Sequence, residues 1–400
     1  MNQKQIIRIS AIVIVIIAII ASFWIFRSDE IVPGMGDPSG GGTFPSGGQV
    51  DIEGRPIGSD GEIIDVPVDI SPTDRSSNQL TFSAISGAGV SSSTVRYIEK
   101  STGHIYEIGF DGQNRRRISN TTILRTFDSF WSPEADKIAI RYFEEGVTYP
   151  LLKTFLVEIG DEEISEEKIE GNLLPQSATG IIVSPEEDKV FYFDSGTDTT
   201  IGIIADFKNQ GKKTLLVTPF SDFTADWFSR NFISLLTKPS ALVKGNLYFI
   251  DVRNGKLEKI IDGVEGLTVL ASPLGDKVIY GVSQGKGQTF ETKIFNTADG
   301  SSNYFGLRTL PEKCVWGVKD KDIVYCASPN SLPSGIYPDE WYQGIVSFSD
   351  SIWKINVVSG KAEVLFEKTN ADAINLSLDE KESHLFYTNK KDGTLWVINL

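Results

Sequence analysis

Histidine and cysteine are almost absent from this chain, with two of each among 400 residues. Metal centres of the usual His or Cys ligand counts cannot be assembled from so few donors, and no cofactor is expected. Basic charge is short as well. Thirty-eight Lys and Arg face 53 Asp and Glu, a net charge of −15, so no basic footprint is available to neutralise phosphates, which argues against nucleic-acid binding. A Gly-x-Ser-x-Gly nucleophile elbow occurs nowhere, and His104 and His384 fall in different repeats, where they read as strand residues rather than as catalytic bases. What is present is a globular composition, 40% hydrophobic and 10% aromatic, too apolar for a disordered chain.

Only one long hydrophobic run exists. Ile9 to Phe26 carries no charge, is flanked by Lys4 and Arg8 before it and by Arg27, Asp29 and Glu30 after it, and is long enough for most of a bilayer core. The positive-inside bias predicts a single-pass anchor in the cytoplasmic membrane, with residues 1–8 in the cytoplasm and the rest of the chain on the extracytoplasmic side. A cut after Ala21 would put Ile19 at −3, against the small-residue rule for a cleaved signal peptide. Residues 27–61, rich in Gly, Pro and Ser from Ile31 onward, read as a flexible linker.

From residue 62 to residue 400 the chain repeats itself. Trp131-Ser-Pro-Glu-Ala-Asp-Lys-Ile138, Val183-Ser-Pro-Glu-Glu-Asp-Lys-Val190 and Ala271-Ser-Pro-Leu-Gly-Asp-Lys-Val278 are copies of one phrase, and weaker copies begin at Trp227, Trp316 and Leu376. The spacing is near 45 residues. A second phrase, an apolar strand running into a polar or Gly turn, recurs seven times, from Ile105-Tyr-Glu-Ile to Leu395-Trp-Val-Ile-Asn. Short β-branched and aromatic segments at this period predict an all-β, seven-bladed propeller, each blade having strands a to d from the axis outward. The Trp residues of the first phrase are expected to pack between blades.

The W-S-P-x-x-D-K-I phrase resembles the TolB-like, WD40-like repeats of β-propellers, whose turn between strands a and b reads Ser-Pro-Asp-Gly-Lys. The resemblance covers residues 80–400 and implies a fold. A propeller hosts many unrelated activities, so it implies no particular function.

Candidate chemistry is sparse. The acidic run from Glu158 to Glu170 reads as a solvated outer face, and Arg115 to Arg117 as charges protecting a sheet edge. Two insertions stand out, both between strands b and c and hence on one face of the ring. One is Glu144 to Lys153, which includes Tyr149. The other follows Ala327 and carries Tyr337, Asp339, Glu340, Trp341, Tyr342 and Phe348. Long loops inside a compact domain are usually functional, and Tyr and Trp are binding hot-spot residues. Binding by these aromatics and capping of the channel by them both remain open. The leading reading is a membrane-tethered binding or scaffold module for an envelope protein, a peptide or a glycan. The alternative is an extracytoplasmic glycan lyase or hydrolase using acids at the channel mouth such as Asp339 and Glu340.

Two structural expectations complete the reading. A hairpin centred on Asp320 sets Cys314 opposite Cys326, within disulfide range, and oxidation persists outside the cytoplasm. The chain ends in a third strand of blade seven, so residues 63–70, apolar at every second position, are predicted to supply the fourth and close the ring.

Overall fold

A computed structural model of the chain describes residues 76–400 apart from 145–150, 160–169 and 368, together with the backbone of three short strands, Gln49–Val50, Pro56–Ile57 and Val68–Asp69. The segment expected to form an anchor, residues 9–26, and most of residues 27–61 lie outside the described residues, as does Tyr149.

Seven antiparallel sheets of four strands follow one another around an axis, the sixth gaining a fifth strand. Blade one, for example, runs Ile85–Val90, Thr94–Glu99, Ile105–Gly109 and Arg116–Arg117 from strand a to strand d. No blade covers its own faces. The buried residues accordingly fall into clusters that bridge successive sheets, such as Phe191 and Phe193 of blade three with Trp227, Ile233 and Leu235 of blade four. Burial of that interblade surface is the main force holding the ring together.

The repeated phrase works as a connector between blades. Ser132 closes the a–b turn by donating to Asp136 Oδ1 (2.7 Å) and accepting from the Lys137 amide (2.9 Å). Lys137 then bridges Asp136 of its own blade and Asp188 of the next, at 2.7 and 2.9 Å. Blade five repeats the device, with Lys277 between Asp276 and Asp322. Trp227 and Trp316 are buried between blades, and the half-buried Trp131 packs on the cluster between blades one and two. Gly89 of blade one lies so close to Trp131 that a Cβ there would stand 2.8 Å from the indole side chain.

Ring closure differs from the expectation for residues 63–70. The fourth strand of blade seven is Ser77–Gln79, antiparallel to Leu395–Asn399 with Gln79 opposite Trp396. Val68–Asp69 instead runs parallel to Ala362–Phe366, on the outer edge of blade six. The reason is connection length. Strand d leads into strand a of the next blade after only a few residues, as from Thr218 to Phe223 or from Glu265 to Thr268. Residues 77–79 are as close to Ile85, whereas residues 63–70 are too far away. An outermost strand needs only its backbone donors and acceptors, so apolar alternation is not required of it.

Candidate functional site

The blade-six insertion lies between strand b (Ile323–Pro329) and strand c (Asp350–Asn356) and contains a single helical turn, Asp339–Tyr342. It spreads over the b–c turns of its neighbours. The Tyr337 amide donates to the Gly287 carbonyl of blade five (2.8 Å), and Asp339 Oδ2 accepts from the Ala241 amide of blade four (2.6 Å). Its aromatics turn inward. Tyr337, Phe348 and Trp341 are 0, 1 and 4% exposed and form a small core with Phe290 and Leu310. Trp341 stacks on Phe348, which stacks on Tyr337. For these three rings the geometry favours capping. Only Tyr342, 42% exposed, keeps a free face.

Both acids of the insertion are engaged within the fold. Asp339 is engaged as an anchor to Ala241, and Glu340 packs beside Gly335 at the base of the helical turn. The histidines are not brought together either: His104 bonds Thr122 (3.0 Å), while His384 lies against Phe110 and bonds Ser383 (3.1 Å). Cys314 and Cys326 face each other across strands a and b and are joined by a disulfide. Among the described residues, no three His, Cys, Asp or Glu side chains converge as they would to hold a metal ion.

Tyr342 leads to a cavity that the sequence did not disclose. Inner strands of blades four, five and six bound a space of about 510 Å³ in the channel, lined by Asp226, Lys238, Leu270, Glu312 and Tyr342 among others. Asp226 comes from strand a of blade four (Phe223–Ser229), and Glu312 from the turn Pro311–Lys313 that enters strand a of blade six. Water reaches Asp226 along the channel, but protein surrounds it, and this loss of bulk solvation pushes its carboxyl up to about 6 against only the Trp227 amide. Burial also raises Glu312, partly offset by the hydrogen bond that Tyr342 donates to its Oε1. Glu312 Oε2 is buried without a hydrogen-bond partner. Burial, with the neighbouring Glu312, raises the Tyr342 hydroxyl well above its ordinary range.

Such a site holds two carboxyls that are costly to ionise and one basic side chain, Lys238, on a partly apolar wall. A cation entering it would relieve both acids. A second cavity of similar size, lined by Ile123, Leu124, Phe143 and Phe155, offers only Glu144 as an ionisable carboxyl among its described lining residues.

Fold and site together define a seven-bladed β-propeller with an acid-lined channel pocket. No family model matches the chain, and no curated protein sequence matches it. Solved structures do resemble it. An oligogalacturonate lyase in complex with manganese aligns at a TM-score of 0.54 and 11% identity, over 82% of this chain and 94% of that one. The oligogalacturonate lyase of Vibrio parahaemolyticus aligns at a TM-score of 0.56 and 13% identity, over 82% and 94%. At such identities the likeness is one of fold.

Proposed function

We propose that this chain is a binding module of TolB-like repeat type, tethered by residues 9–26 to the outer face of a cytoplasmic membrane. Its partner is an envelope protein or peptide that seats a basic group in the channel pocket. The observation that carries this reading is a single water-accessible cavity lined by two acids, Asp226 and Glu312, both raised by the surrounding protein. A guanidinium or ammonium group adds a second positive charge to the one that Lys238 sets against the two acids, and the Tyr342 ring and the Leu270 wall suit its aliphatic stem. A polymer of galacturonate, itself a chain of carboxylates, meets the wrong sign of charge here. The alternative of a glycan lyase or hydrolase is supported by the fold of its neighbours alone, and it would have to draw its acid and base from Asp226 and Glu312 rather than from Asp339 and Glu340.

The test is a pair of acetylated, amidated tetrapeptide libraries, one carrying Arg at a central position and one carrying the neutral isostere citrulline. They are titrated against the full chain and its D226N/E312Q variant. Binding of Arg-peptides to the native protein, lost in the variant and absent for citrulline, is the expected result. Equal binding of the two libraries contradicts the reading.

A further inference from the structure

Beneath the blade-six insertion lies a second group of ionisable side chains, separate from the channel pocket. Lys313, at the entrance to strand a of blade six, meets Asp350 at the start of strand c and Asp372 just before strand a of blade seven. All three side chains are 0% exposed. Charges sealed from water in this way, with Lys390 approaching the Trp341 ring as well, are a costly arrangement for an ordinary salt bridge. The environment is aromatic as well, with the Lys313 Nζ 5.5 Å from the Trp341 ring centre and 5.2 Å from that of Phe348.

The hydrogen bonds give the two acids different roles. Asp372 Oδ2 is fixed by two donors, Trp341 Nε1 at 2.9 Å and the Phe348 amide at 3.0 Å, while its Oδ1 is in contact with Lys313 Nζ. Asp350 Oδ2 accepts from Lys313 Nζ at 2.9 Å and from the Ala373 amide at 2.7 Å. Its Oδ1 is buried with no hydrogen-bond partner. One carboxyl is therefore clamped beside the amine with an oxygen in a two-donor cradle, and the other meets the same amine through Oδ2, the oxygen placed to take its proton. Burial raises Asp350, with Lys313 offsetting part of the effect.

We propose that Lys313 and Asp372 condense to an intramolecular isopeptide bond, with Asp350 as the proton carrier. The Lys313 ammonium gives one proton to the Asp350 carboxylate and becomes a neutral amine. Its Nζ lone pair then forms a bond to Cγ of Asp372, and the Trp341 and Phe348 N–H groups stabilise the charge that develops on Oδ2. Oδ1 takes the proton held by Asp350 and a second proton from Nζ, the Cγ–Oδ1 bond breaks, and water leaves. The sum is one ammonium and one carboxylate converted to one amide and one water, with Asp350 restored and nothing oxidised or reduced. Two fully buried charges disappear. Fixed contact of this kind supplies effective molarities of about 10⁵ M or more, which is how a condensation unfavourable in dilute water proceeds inside a protein. The bond would tie blade six covalently to blade seven, under the insertion.

The test is the mass of the full chain after denaturation and reduction. The native protein should be lighter than its sequence by about 18 Da, the water lost. Trypsin should yield a branched peptide joining residues 309–319 to residues 369–381, uncut after Lys313. D372N should lose about 17 Da instead, because ammonia leaves in place of water. D350N and K313R should have their full sequence masses. A native protein of full sequence mass overturns the proposal whatever the variants do. A D350N protein that folds, by circular dichroism, and still carries the bond overturns the role given to Asp350.

Discussion

Replacing Asp226 with Asn should stabilise the protein, and only above a definite pH. The carboxyl ordinarily titrates near 3.8 and is raised to about 6 in the folded chain. At about 1.4 kcal/mol for each pH unit of displacement, that gap corresponds to about 3 kcal/mol of ionisation cost. Water in the channel screens part of it, so about half, near 1.5 kcal/mol, is the expected effect. The sign follows from proton binding. Because the folded state holds this proton more tightly than the unfolded state, the cost is absent below about 3.8, develops between about 3.8 and 6, and is complete above 6. Asn has the same shape and no charge to lose. Urea unfolding of the native protein and D226N should show the variant more stable by about 1.5 kcal/mol at pH 7.5. The two should converge at the lowest pH where both still fold. A difference independent of pH, or a native protein more stable than D226N at pH 7.5, would refute the assignment of a carboxyl raised by the protein around it in the channel. A residue that costs stability and is retained for a ligand is the trade expected of a binding site.

Other perturbations separate structure from recognition. W341A removes a ring stacked on Phe348 and a donor to Asp372, and should cost about 3–5 kcal/mol in urea unfolding. Y342A, at an exposed position, should cost about 1 kcal/mol or less and abolish binding of the Arg-peptides. Deleting residues 76–80 should lower the urea midpoint strongly, because Ser77–Gln79 is the fourth strand of blade seven, whereas deleting residues 62–71 should leave it nearly unchanged. Removing the disulfide with the double variant C314S/C326S should cost about 3 kcal/mol, the value for a closed loop of its size. The native protein should lose a similar amount on reduction.

The parts of this molecule that were readable in the sequence are those encoded locally. Ser132-Pro133 and Asp136-Lys137 mark the a–b turn because their side chains bond one another within a few residues, and a three-fold recurrence of that turn exposes the period. Cys314 could be set opposite Cys326 because a hairpin fixes its register. The candidate site is another matter. Asp226 and Glu312 come from blades four and six, and nothing near either residue marks it out. Lys313, Asp350 and Asp372 are likewise scattered, and only the ring brings them together. The inward turn of Tyr337 and Trp341 was illegible for a different reason: an irregular loop has no period from which a buried face can be read. Ser77–Gln79 is polar and carries no strand pattern, whereas residues 64–70 alternate in polarity without supplying the closing strand.

The central claim is that a cation binds against ionised Asp226, and binding must therefore expel whatever proton that carboxyl holds. Calorimetric titration of the full chain with the Arg-peptides at pH 6, in two buffers of different ionisation enthalpy, measures that proton directly. With the carboxyl near half-protonated at about pH 6, release of about half a proton per peptide from Asp226 is expected, with that portion missing in D226N. Heats identical in the two buffers, or a release unchanged in D226N, would contradict the account.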